Sequence, residues 1–122
     1  MRVLCIVLVG ALFSFLSISG AAEESSLSGK DLRQHCEAVL QGHAPQSFEA
    51  GVCVGTLQTL RYIQPLLDPK YGKADYCLPP GLPSEQEAQV VVTYLQSHPE
   101  RLQEEGRTVA LDALHQAFPC KR

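Results

Sequence analysis

Four cysteines, Cys36, Cys53, Cys77 and Cys120, constrain this chain more than any other feature, because of what precedes them. The chain opens MRVLCIVLVGALFSFLSISGAA: basic Arg2, an apolar run from Val3 to Phe15, then the small residues Gly20, Ala21 and Ala22. That order is the basic, apolar and small-residue pattern of a secretory signal peptide, and the apolar run is shorter than the roughly 20 residues of a membrane span. Cleavage after Ala22 is expected, removing Cys5 with the leader and leaving an exported protein of one domain, 23–122. The four remaining cysteines then form an even set in an oxidising compartment, which reads as two disulfides. Zinc is the competing use of such a set. The spacings of 17, 24 and 43 residues contain no CxxC pair, and no metal or other cofactor is expected.

Charge narrows the partners. Arg2 is the sole charge in the leader, so the net charge of −3 becomes −4 after cleavage. No basic patch is available to displace counterions from phosphates, which excludes nucleic acid as a natural partner. After cleavage no remaining segment is apolar enough to hold a membrane.

Apolar periodicity and capping residues predict an all-α chain of four main helices, with room for a short extra turn in the proline-rich segment. The first fits 29–41, with Ser28 and Asp31 as a capping box, Leu32, Cys36, Val39 and Leu40 on one face, and Gly42 as the stop. The second fits 47–64, capped by Ser47, with Phe48, Val52, Leu60, Ile63 and Leu67 as its apolar stripe and Pro65 at its end. A third, 85–97, follows the S-x-x-E signature of Ser84 and Glu87 and buries Ala88, Val91, Val92 and Leu95. The fourth fits 99–118, opening on Pro99 and using Leu102, Gly106, Val109, Ala113, Leu114, Ala117 and Phe118.

Helix geometry selects one of the three possible disulfide connectivities. The midpoint of positions 36 and 53 is 44.5, the centre of the linker between the first two helices. In an antiparallel hairpin both cysteines therefore lie about 13 Å up their helices, facing each other. Cys77 is left to pair with Cys120. Glycine inside a helix costs about 1 kcal/mol relative to alanine, so Gly51 and Gly55 around Cys53 need a reason. The expectation is that they let the two backbones approach at the disulfide, and that Gly51→Leu disrupts it.

No G-x-S-x-G elbow, HExxH or phosphate-binding glycine loop is present, so the chain does not read as an enzyme. His35 beside Cys36 could form a nucleophile pair, but a paired cysteine is the stronger expectation. The proline- and charge-rich stretch 68-DPKYGKADYC-77 is the candidate for protein recognition. It offers Asp68, Lys70, Tyr71, Lys73, Asp75 and Tyr76 on a segment pinned by Cys77, against the alternative that its tyrosines cover the core.

The order of motifs F-x-x-G-x-C-x-G (48–55), C-x-P-P-G-x-P-x-x-Q (77–86), V-V-x-Y-L-x-x-x-P-x-x-L (91–102) and A-L-x-x-A-F-x-C (113–120) resembles the Rap/Tai immunity family. These are small exported proteins that protect bacteria from type VI secretion amidase effectors. The resemblance implies an all-helical, disulfide-bonded periplasmic protein, often a homodimer, that occludes the active site of a peptidoglycan amidase. Phe48, Gly51, Cys53, Gly55, Cys77, Pro79, Gln86, Tyr94, Pro99, Leu102, Phe118 and Cys120 match its framework. They are structural positions and not the inhibitory surface. A small periplasmic stress chaperone responding to acid, with no toxin partner, is the alternative that the thirteen acidic residues allow.

Overall fold

The computed structural model describes residues 26–42, 47–64 and 76–121. It contains four α-helices: α1 (Gly29–Leu40), α2 (Phe48–Ile63), α3 (Ser84–Ser97) and α4 (Gly106–Ala117). A single 3₁₀ turn, Pro99–Arg101, separates the last two. α1 is the hub, packing chiefly on α2 and α3 and also against α4. Among the described residues the only β-type pairings are two isolated bridges, Ser28 with Glu105 and Tyr76 with Pro119.

The start of α1 is built as the sequence predicts. Ser28 Oγ accepts from the Asp31 N–H at 3.2 Å, and Asp31 Oδ2 accepts from the Ser28 N–H at 3.4 Å. The helix ends where Gly42 takes a φ of +72°, the left-handed conformation that glycine adopts without steric cost. Ser47 caps α2 through the Ala50 N–H at 3.2 Å.

The two disulfides join Cys36 to Cys53 and Cys77 to Cys120, with Cα atoms 5.1 and 4.9 Å apart. The first pair is fully buried between α1 and α2. The second ties the strand-like segment at Tyr76–Cys77 to the chain's end, where the Cys77 N–H also donates to the Phe118 carbonyl at 2.7 Å.

Three features differ from the sequence reading. The face that α2 buries is Ala50, Cys53, Leu57 and Leu60; Phe48 is 76% exposed, and Leu67 lies outside the described residues. Gly51 and Gly55 are consequently on the outer face, and a Cβ on Gly55 would meet nothing within 4 Å. They do not make room for the disulfide. The S-x-x-E box of α3 does not form either, because Glu87 turns inward. Its carboxylate is buried against Arg61 of α2, whose guanidinium also donates to the Leu82 carbonyl at 2.8 Å. Pro83 takes the capping position instead, and its carbonyl accepts from the Gln86 and Glu87 N–H groups.

The fourth helix starts at Gly106 rather than at Pro99, for a reason that lies in α1. A helix leaves its first N–H groups without partners. Here the Gly29 N–H donates to the Glu104 carbonyl at 2.9 Å and the Lys30 N–H to the Leu102 carbonyl at 2.8 Å. Those carbonyls are turned toward α1 instead of along a continuous helix, and the chain turns and begins again. The Gly106 N–H in return donates to Leu27 at 2.7 Å, and Glu105 caps α4 through the Thr108 N–H at 2.9 Å. The two helix starts touch backbone to backbone. A Cβ on Gly106 would lie 2.9 Å from the Leu27 carbonyl oxygen, and one on Gly29 2.8 Å from that of Arg101.

Gly106→Ala is therefore expected to destabilise the fold by about 1–3 kcal/mol through backbone overlap, while Gly55→Ala should stabilise it by about 0.5–1 kcal/mol. Urea unfolding of both variants checks this; equal midpoints would show that the α1–α4 contact is not tight. Arg61→Met should cost about 2 kcal/mol, since it strands the Glu87 carboxylate, which is 1% exposed. That is below the full value for a wholly buried pair because Arg61 is itself 40% exposed. Adding Glu87→Leu should recover most of the loss in the same assay.

Candidate binding surface

Of the residues nominated from sequence for recognition, Asp68, Lys70, Tyr71, Lys73 and Asp75 lie outside the described residues. Tyr76 is described and belongs to the core. It is 0% exposed, its hydroxyl has no hydrogen-bond partner, and burial pushes its phenol above the ordinary tyrosine range. It therefore takes the core-covering role that was the alternative for these tyrosines, and its side chain is not a surface contact. Its carbonyl accepts from the Gln64 side chain, so the end of α2 is held next to the segment entering Cys77.

Among the described residues, His35, His98 and His115 do not assemble a catalytic group. Cys36 is committed to its disulfide, and the ring of neighbouring His35 meets Phe48 edge-on with centroids 6.2 Å apart. His98 Nδ1 lies 3.0 Å from Glu100 Oε1, and His115 is exposed on α4. Among the described residues no three His, Cys, Asp or Glu side chains are placed to hold a metal ion.

Two surface features remain. One is centred on Arg101, which the sequence reading did not single out. Its guanidinium donates to Glu104 at 2.6 Å, Asp112 at 2.7 Å and the Tyr94 hydroxyl at 2.5 Å. Glu104 above all, then Asp112 and Tyr94, hold it protonated well above the arginine range, and Arg101 in turn keeps the Glu104 carboxyl low. Arg101 also sits 5.6 Å from the Tyr94 ring centroid, and Tyr94 packs on His98 at 4.4 Å. Beside this cluster a hollow of about 350 Å³ opens between α3 and α4, floored by Val90, Ala113 and Ala117. The cluster's hydrogen bonds are internal, so it fixes the α3–α4 corner in place.

The other is the outer face of α2. Phe48 and Tyr62 are 76% and 74% exposed, at opposite ends of the helix. Between them lie Gly51, Gly55 and Thr59, and a hollow of about 460 Å³ runs along this stretch with Arg107 on its rim. Large exposed aromatics on one side of a helix are a feature of protein interfaces. The signal was present in the sequence, since Phe48, Gly55 and Tyr62 are spaced seven apart and so share a face. It was hidden because aromatic Phe48 was assigned to the core.

The outer face of α2, with its two exposed aromatics, suits contact with a protein. No curated protein and no solved structure matches this chain significantly. A family model does match it, that of the Rap1a immunity proteins, over residues 28–120. That span runs from the cap of α1 to the last cysteine and takes in both disulfides and all four helices. The chain belongs to the Rap1a immunity protein family.

Proposed function

We propose that this protein is exported to the periplasm, loses residues 1–22, and there binds a type VI secretion peptidoglycan amidase effector, covering its active site. The observation that carries this reading is the family match across the whole folded part of the chain. Two others support it. The matched region begins after the apolar leader, and both disulfides need an oxidising compartment to form and persist. Among the described residues no helix is long and apolar enough to cross a membrane.

An immunity protein must bind before damage is done and must not unfold in the envelope. The buried Cys36–Cys53 bridge and the long-range Cys77–Cys120 bridge supply that persistence, each worth about 3–4 kcal/mol on chain-entropy grounds. The contact surface needs different chemistry from the core. Asp68, Lys70, Lys73 and Asp75 surround a tyrosine anchor, Tyr71, with charges of both signs, which fits the polar rim of an interface and not a bundle interior. Their flanks are anchored by the Gln64 side chain on the Tyr76 carbonyl and by the Cys77–Cys120 bridge. Anchored flanks reduce the ordering cost of binding.

The test is inhibition of peptidoglycan hydrolysis by amidase effectors from the same bacterium. The purified exported protein should abolish hydrolysis by one of them at stoichiometric concentration. Tyr71→Ala combined with Lys73→Glu should weaken that complex by tenfold or more, with unchanged thermal unfolding. Failure to inhibit any such amidase rejects the toxin target; full inhibition by the double variant moves the contact to another surface.

A further inference from the structure

The two disulfides differ in what can reach them. Cys36 and Cys53 are both 0% exposed between α1 and α2, so no thiolate approaches their sulfurs while the helices stay packed. Cys77 is exposed and Cys120 half-buried. Lys121 and Arg122 follow Cys120 in sequence, and Lys121 is exposed. Neighbouring cations stabilise a thiolate, and a stabilised thiolate leaves faster in thiol–disulfide exchange. Access and charge therefore favour the same event, attack on Cys77 with departure of Cys120.

Beside this bridge sits the core residue with the least satisfied side chain. Tyr76 is completely buried, yet its hydroxyl has no hydrogen-bond partner. Such a hydroxyl has given up water for nothing in return, a cost that is recovered on leaving the core. Three contacts hold the backbone here: the Gln64 side chain on the Tyr76 carbonyl, the bridge of Tyr76 with Pro119, and the Cys77 N–H on the Phe118 carbonyl. Two of the three run to the stretch that ends in Cys120. The covalent link keeps those two sides together, and the burial of Tyr76 leans on it.

We propose that Cys77–Cys120 is a thiol–disulfide exchange site for a dithiol oxidoreductase of the same compartment, and that opening it releases Tyr76 from the core while the four helices stay folded. The reductant's thiolate forms a bond to the Cys77 sulfur and breaks the Cys77–Cys120 bond, with Cys120 leaving as a thiolate beside Lys121. The reductant's second thiol then attacks its own sulfur in the mixed disulfide and frees Cys77. Two electrons pass to the protein, the dithiol becomes a disulfide, and its two protons balance the two new thiols. Cys36–Cys53 is untouched and keeps α1 on α2, and the backbone exchange between α1 and α4 lies outside this corner. The proposal concerns the corner alone and holds whichever protein this chain inhibits.

Graded reduction of the exported protein with dithiothreitol, thiol trapping with N-ethylmaleimide and peptide mass mapping test the site. Cys77 and Cys120 should be labelled about tenfold faster than Cys36 and Cys53 or more, with helical circular dichroism retained. A thioredoxin-type reductase whose second active-site cysteine is replaced by serine should be trapped on Cys77 and not on Cys120. Lys121→Glu with Arg122→Glu should slow the opening about threefold or more. Simultaneous labelling of all four cysteines, or loss of helix on opening, overturns the exchange site; trapping on Cys120 or an unchanged rate in the double glutamate variant overturns the direction of attack. Cys77→Ser with Cys120→Ser stands in for the opened form and has no free thiol. Tetranitromethane should nitrate its Tyr76 about tenfold more than in the bridged protein. A folded serine variant whose Tyr76 stays unmodified overturns the release of Tyr76, and a serine variant that fails to fold overturns the claim that the helices outlast the bridge.

Discussion

The bundle depends on one crossing, where the first turns of α1 and α4 meet with no side chain between them. Helix starts are hard to bury because their N–H groups lack partners within the helix. Here each helix start supplies what the other lacks. The Gly29 and Lys30 N–H groups donate to carbonyls of the segment leading into α4, and the Gly106 N–H donates to Leu27, just before α1. The exchange works only at a separation that no Cβ tolerates, which is why both positions are glycine. It also determines the shape of the chain's second half. The carbonyls of Leu102 and Glu104 are turned toward α1, and the chain after Pro99 makes one 3₁₀ turn and breaks. The break in turn places Arg101 where it reaches Glu104, Asp112 and Tyr94 together. The charged cluster and the backbone crossing are two sides of one corner.

The opposite edge of the bundle is held by different physics. α1 and α2 are joined covalently through Cys36 and Cys53, with Leu57 and Leu60 packed beside the bridge. α2 and α3 are joined by an ion pair with one buried member, Arg61 with Glu87. Such a pair adds little net stability over apolar packing, because the carboxylate's desolvation offsets most of the attraction. Its effect is to specify geometry: Arg61 also takes the Leu82 carbonyl, so the chain entering α3 is aligned on α2 by one side chain.

How far the sequence could be read follows from how local each determinant is. Ser28, Asp31 and Gly42 act within four residues of themselves, and the boundaries of α1 were legible from them. The disulfide pairing was legible because a helical hairpin has a simple metric. The failures share the opposite property. Ser84 and Glu87 carry a sound local signature, but Arg61, more than twenty residues away, makes a better partner for the carboxylate than an N-cap. Phe48 looks like a core residue by type, yet the face α2 buries is decided by where Cys53 must point. Gly51 and Gly55 drew attention because they flank a cysteine, and they proved to line the outside. Gly29 drew none and Gly106 only a place on the packed face of the fourth helix, yet these two make the closest contacts. Nothing local separates a glycine that clears a path for another backbone from one that leaves an outer surface bare. In the candidate surface, likewise, Tyr76 could not be told from Tyr71 by composition, and its complete burial depends on the rest of the fold.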